Sequence, residues 1–397
     1  MWYNAAMTKE PFAWSRERVS VAAYFAVLGL VCATWGSSID DMKLLLGLDE
    51  AEQGWLLLSG PVGNLVSFTF VSGLVTRIGS RRGVVVSAGA YLVAALGVAA
   101  CFLTRAPLPF WCAAIAAMGM TGNMFNISVN AQGGIVERKA GRTIMNSFHA
   151  MFSVMGLVAA SLAIGASILG IPPGWRLVGV LAVGLAAHLA FLPGLPKDDD
   201  VVKKKEGEGL HMPDVRLLLI GLAALVIMGC EGSITDWVGV FYHDSLAAPP
   251  GRVKWGFCAV CAMMTLGRFV TDSLINRVGA TIVLRLYSVL VAAGLSLALS
   301  TPWLGLSGLS LHVVATMGYA VAGYGISALV PILYSKANRT KAMPAASALT
   351  FVGSMGFLGY FMAPPLIGHV AHVTNLFAAL AIFAVLILAC LFLRLED

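Results

Sequence analysis

The chain has 397 residues, 58% hydrophobic and only 12% charged, about half the ~25% charged content of an ordinary soluble domain, and its mean hydropathy is +0.84. A compact soluble fold must clothe itself in polar groups, so a soluble enzyme, a DNA-binding domain and a disordered regulator are excluded. The formal charge of +6 then concerns where Lys and Arg sit relative to a membrane, not affinity for nucleic acid.

A spanning helix needs ~20 mostly apolar residues, and twelve such runs are predicted. Residues 1–18 form a basic N-terminal segment without the pattern of a cleavable signal peptide. Six runs follow, at 19–42, 54–76, 83–104, 109–136, 144–169 and 175–194. The polar segment Pro196–Pro213 (PKDDDVVKKKEGEGLHMP) interrupts them as a linker. Six more runs cover 215–242, 254–277, 279–300, 308–335, 344–368 and 374–394. Turn and charge signals separate them, such as Gly79-Ser80-Arg81-Arg82, Pro172-Pro173-Gly174 and Pro249-Pro250-Gly251. Lipid satisfies no backbone hydrogen bonds, and the runs are too long and too uniformly apolar for barrel strands. An all-α membrane protein is therefore expected. Its organisation is an N-terminal six-helix bundle (19–195), a linker (196–213), a second six-helix bundle (214–394) and a short tail (395–397).

Of the 26 Lys and Arg residues, 20 fall on the side of the N-terminus and linker, five on the other side and Arg268 within a run. This bias predicts a membrane protein with both termini and the linker in the cytoplasm. The halves also repeat. Arg77-x-Gly79 matches Arg277-x-Gly279, Trp55 matches Trp255, and Gly36-Ser37-x-x-Asp40 matches Gly232-Ser233-x-x-Asp236. Internal repetition of this kind marks secondary transporters. The seven cysteines lie in apolar stretches, and Cys258-x-x-Cys261 has no histidine nearby, so neither a disulfide framework nor a metal site is expected.

The loop Gly73-Leu-Val-Thr-Arg77-Ile-Gly79-Ser-Arg81-Arg82, and its second copy Gly267-Arg268-x-x-x-Asp272-x-x-x-x-Arg277-x-Gly279, resemble the signature loop of the major facilitator superfamily. Several stretches are similar to a bacterial branch near the fucose permeases. These are Glu231-Gly-x-x-x-Asp236-Trp237, Asn130-Ala-Gln-Gly with Glu137-Arg138, Ser147-Phe-His149 and Pro364-Pro365-x-Ile-Gly368. The resemblance implies twelve transmembrane helices in two pseudo-symmetric bundles, and transport as the activity. It also implies a conformational lock built from Arg77, Arg268, Asp272 and Arg277. Two departures stand out. Thr76 occupies the place of the family's acid in the first loop, and the acidic pair Asp40-Asp41 is unusual for a branch that usually has Arg and Pro near Ser38 and Asp40.

Ionisable groups inside a membrane cost ~2.5–3.5 kcal/mol each on insertion scales, so each needs a reason. Glu231 is the deepest acid, roughly 24 Å along a helix starting near Val215 at ~1.5 Å per residue. It is the leading candidate for proton coupling, joined by Asp236, Asp40 and His149; a structural acid bonded to a neighbouring helix is the alternative. Asp40 and Asp236 also suit gate positions near the outer ends of their helices, and Asp41 is expected to be exposed. Arg268 and Asp272, at i and i+4, can pair on one helix face. Asn123, Asn126 and Asn130, at i, i+3 and i+7, place three amides on one face. Amides donate and accept, which suits a hydroxyl-rich solute, and they also join helices. Trp35, Trp237, Tyr319, Tyr324 and Tyr360 are candidate aromatic lining.

No nucleotide-binding, zinc-protease or serine-hydrolase motif occurs. The expected function is secondary active transport of a small polar or amphipathic solute, sugar-like or an organic acid. No catalytic residue, cofactor or metal is expected. Proton symport is favoured, with sodium as the alternative ion. Efflux by proton antiport and a non-transporting membrane sensor are the competing functions, and a monomer is expected.

Overall fold

The structure, a computed structural model, describes residues 15–140, 144–197, 213–338 and 345–393. Every regular element among them is helical. The first half comprises α1 (Arg16–Gly36), α2 (Ile39–Leu46), α3 (Glu50–Phe68), α4 (Val71–Ile78), α5 (Ser80–Thr104), α6 (Leu108–Ala140), α7 (Met145–Ile168) and α8 (Pro173–Phe191). The second comprises α9 (Val215–Asp244), α10 (Pro250–Val253), α11 (Trp255–Val278), α12 (Ala280–Ser300), α13 (Gly308–Ile326), α14 (Leu329–Ala337), α15 (Ala345–Val373) and α16 (Leu376–Leu386).

Among the described residues, ten helical stretches are long and apolar enough to cross a membrane. Two of the twelve predicted runs fall short of that, each for a local reason. The second run divides into α3 and α4 at Thr69–Phe70, and α3 opens on Glu50 and Glu52. The twelfth, Leu376–Phe392, is a shorter apolar helix ending in 3-10 turns. The helix starts are written in polar residues. Ser15 caps α1, Asp214 caps α9, and Asp49 with Glu52 forms a capping box on α3. Pro61 does not interrupt α3, and Pro364 and Pro365 lie inside an unbroken α15. Pro331 follows the α13–α14 break, and Pro344 lies outside the described residues.

The two halves repeat in space. α5 packs on α6 as α12 packs on α13, α1 on α7 as α9 on α15, and α3 on α6 as α11 on α13. Gly79 and Gly279, in the matching loops, share one backbone conformation, φ 85° with ψ 154° and φ 86° with ψ 153°. That left-handed region is open to glycine at little cost, which explains why glycine stands in both copies. Each half buries its own apolar core, around Phe25, Trp111 and Phe148 in the first and Trp237, Phe241 and Tyr287 in the second. Val93, Leu162, Leu189, Phe269 and Met317 are exposed on the outside, as a lipid-facing surface requires.

The halves meet through α3 against α15 and α7 against α11. The chain enters α1, leaves α8 and enters α9 at one end, the linker end, although residues 198–212 of the linker lie outside the described residues. Cross-half contacts cluster toward the opposite, far end. A Cβ on Gly54 would meet the Pro364 carbonyl oxygen at 2.5 Å, and one on Gly368 would meet the Gly54 Cα at 3.0 Å. Asp49 and His372 approach to 3.5 Å across the same seam.

Candidate functional site

At mid-height between the halves, helices of both halves bring polar groups together. Glu231 projects from α9, and its carboxylate accepts a hydrogen bond from Tyr360 of α15. Gly232 makes room for this, since a Cβ there would meet the Tyr360 ring at 2.7 Å. Arg268 of α11 lies within electrostatic reach of Glu231 and of His149 on α7. Its Nη1 donates to Ser153 Oγ of α7 at 2.5 Å, a bond between the two halves. Tyr334 of α14 also lies within electrostatic reach of Glu231. Asp236, five residues on from Glu231, is near Cys32 of α1 and near Tyr360. Cys32 and Arg268 are both exposed although they face the opposite half, so an open cleft separates the halves here.

Glu231, Asp236, His149, Arg268 and Tyr360 thus share one cleft. The arrangement has an acid, a base-capable imidazole and a cation, with hydroxyls between them. Together these groups can donate and accept hydrogen bonds, and the Arg268–Ser153 bond joins the two halves.

The other expected site residues lie elsewhere. Trp237 and Tyr319 are fully buried in the core of the second half, Tyr319 against Phe241 and Tyr242. Tyr324 packs on Tyr287 at a ring separation of 5.3 Å. Trp35 is half-buried near the end of α1, packed against the first-half core. The amide row on α6 divides. Asn123 donates to Ser67 Oγ of α3 at 2.6 Å, so it joins two helices. Asn130 donates to the Asn126 carbonyl oxygen and Oδ1 at 2.8 and 2.9 Å, and Asn126 is exposed. Arg77 and Arg277 are exposed at matching places at the linker end. The Asp272 side chain lies outside the described residues, and Arg268 is engaged with Ser153 instead.

Asp40 stands apart from the cleft, in a charge network at the far end. Lys254, between α10 and α11, donates to Asp40 Oδ1 and Oδ2 at 2.5 and 2.6 Å and to Asp41 Oδ2 at 2.8 Å. Arg176 of α8 donates to Asp41 at 2.8 Å. Asp41, expected to be exposed, is half-buried because two cations claim it. Beside it, Lys43 pairs with Glu50 at 2.9 Å and with Asp244 of the second half. Sequence reasoning missed these cations, though a signal was present. Lys43, Arg176 and Lys254 are among the five basic residues that the Lys and Arg bias assigns to the poorer side, where a cation is expected to need a partner.

The sequence profile of the Major Facilitator Superfamily matches residues 21–357. An uncharacterised MFS-type transporter of Yersinia pestis is 28% identical over 372 residues, covering 94% of this chain and 93% of that protein. The membrane protein MosC of Rhizobium meliloti is 28% identical over 389 residues, covering 94% and 88%. Among solved structures, the nucleoside transporter NupG superposes with a TM-score of 0.72 at 14% identity, covering 94% of this chain and 97% of that one. The inward-open xylose transporter XylE of E. coli gives 0.72 at 12%, covering 96% and 95%, and a D-xylose-proton symporter gives 0.70 at 13%, covering 96% and 97%. With the family profile spanning most of the chain, on a fold whose two helical halves enclose a polar cleft, the protein belongs to the Major Facilitator Superfamily and is a multi-pass membrane transporter, not an enzyme.

Proposed function

We propose that the protein carries a small, hydroxyl-rich polar solute across a bacterial inner membrane by alternating access, in symport with a proton, with its termini in the cytoplasm. The observation that carries this reading is the Glu231 carboxylate, held by Tyr360 in the cleft beside Arg268. An acid in low-dielectric surroundings is neutral or ionised at comparable cost only when its partners balance burial, which is what reversible protonation needs. Arg268 offsets the Glu231 charge and is already bonded to Ser153. That favours a sugar-like solute over an organic acid, which would need a free cation. The exposed Asn126 amide and the Tyr334 and Tyr360 rings are suited to hydroxyls and to the apolar face of a ring. The relatives of this fold include, by their own descriptions, a D-xylose-proton symporter and a nucleoside transporter.

Glu231→Gln tests the reading, because glutamine mimics the protonated acid. In proteoliposomes, counterflow exchange of solute should survive while accumulation driven by a pH gradient disappears. Wild-type accumulation at every pH in the variant would remove Glu231 from coupling. Solute leaving against an inward proton gradient would replace symport by antiport.

A further inference from the structure

We propose that Cys32 of α1 and Cys261 of α11 form a redox site in the cleft. It is a dithiol with one thiol from each half, which a small disulfide oxidises to a reversible bond between the halves.

The seven cysteines divide by their surroundings. Cys101 is buried in the core of the first half, and Cys230 and Cys390 in the core of the second. Cys112 packs against the first-half core. Cys32, by contrast, is exposed, and Cys258 and Cys261 are half-buried on α11. α1 and α11 run antiparallel, and they touch toward the far end, where a Cβ on Gly36 would meet the Phe257 ring at 3.0 Å. One turn back along α1 is Cys32, and one turn onward along α11 is Cys261. Each lies on the helix face that makes that contact. The two thiols accordingly stand within electrostatic reach of each other. Cys258 is engaged elsewhere, with its sulfur 3.7 Å from Ser161 Oγ of α7. Among the described residues no group of three or more metal-ligating side chains occurs. Two thiols without further ligands favour sulfur exchange over a closed metal site.

Access sets the order of the exchange. The exposed Cys32, as its thiolate, attacks one sulfur of the small disulfide. That S–S bond breaks, and a small thiolate leaves. Cys261, as its thiolate, then attacks the Cys32 sulfur of the mixed disulfide and expels the second small thiolate. The two cysteine protons end on the two released thiols. The small disulfide is thus reduced by two electrons while the cysteine pair is oxidised by two, and an excess of small thiol runs the sequence backwards. A disulfide holds its Cα atoms about 4.4–6.8 Å apart, so the bond clamps α1 to α11 across the cleft. On the alternating-access reading, in which the halves must move, the oxidised carrier is arrested. The bond itself does not depend on that reading.

Hydroxyethyl disulfide, small and uncharged, is the probe. The purified full chain, with a specific protease site inserted in the Pro196–Pro213 linker, would be oxidised with it. Free thiols would then be blocked, and the protein denatured and cut at the linker. On a gel without reductant the two halves should stay together, and dithiothreitol should part them. Peptide mass mapping should find Cys32 joined to Cys261. Cys32→Ser and Cys261→Ser should each lose the link, the second keeping a mixed disulfide on Cys32. Cys258→Ser should keep the link. The mapping needs no variant, so it decides the matter if a serine variant does not fold. Halves that part without reductant overturn the proposal, whether the oxidised thiols carry only small adducts or a bond between Cys258 and Cys261. A link that survives Cys32→Ser, or is lost in Cys258→Ser, overturns it equally. No solute or proton gradient enters this measurement, so failure of the symport reading leaves its result untouched.

Discussion

At the scale of single residues, burial and partner choice decide function, and the sequence shows only part of either. Glu231 was legible because an acid inside an apolar run is costly wherever it points. Arg268 was legible as an intramembrane cation, but its partner was not. Spacing of i and i+4 says which side chains can meet on one helix, whereas the α7–α11 contact brings Ser153 to Arg268 from 115 residues away. Trp237 and Tyr319 show the converse. An aromatic at mid-helix looks the same in sequence whether it turns to the cleft or to the core, and both turn to the core. The Tyr360–Glu231 bond yields a residue-scale prediction. A hydrogen bond to a charged group is worth about 1.5–3 kcal/mol and one between neutral groups about 1. Tyr360→Phe should therefore destabilise the purified protein by about 1.5–3 kcal/mol, and by roughly 1 kcal/mol less in a Glu231→Gln background. Thermal unfolding of the four proteins in this cycle measures the coupling. Additive effects would show that the two side chains do not interact.

At the scale of elements, the apolar runs gave helix positions well, because twenty apolar residues have few other fates in lipid. The breaks inside runs were harder to foresee. The α1–α2 and α3–α4 interruptions fall at Ser37–Ser38 and Thr69–Phe70, where no proline or charge marks them. The Glu137-Arg138 stretch, quoted above only for its resemblance, has a local task. Glu137 Oε2 accepts from the backbone N–H of Ile144 at 2.8 Å and of Met145 at 2.7 Å. It thereby satisfies donors at the start of α7 that the helix itself cannot, and its charge complements the helix dipole there. Glu137→Ala should cost about 0.5–2 kcal/mol, as loss of a cap does, and Glu137→Gln, which keeps the acceptor, should cost less. Hydrogen exchange at the Ile144 and Met145 amides would localise the effect. Unchanged protection there in Glu137→Ala would assign the cap to another group.

At the scale of the whole molecule, the repeat predicted from Arg77-x-Gly79 and Arg277-x-Gly279 reappears as matched glycine conformations and matched helix pairs. What the repeat could not reveal is how the halves stand relative to each other, because both ends of such a molecule can close with little change inside either half. Here the far end is closed, and Ile168 of α7 touches Gly251 of α10 across the seam. A Cβ built on Gly251 lies 3.9 Å from the Ile168 Cβ, inside the ~3.5–4.5 Å range of disulfides. Ile168→Cys with Gly251→Cys should therefore form a disulfide on mild oxidation without moving the backbone. If transport requires this end to part, the oxidised protein should bind solute from the linker side yet carry none across, and reduction should restore transport. Each single cysteine variant under the same oxidation controls for the seven native thiols. Full transport by protein shown to be cross-linked would mean that α7 and α10 move as one body. The opening would then have to run along the α3–α15 seam, where Gly54 and Gly368 bring the two backbones together.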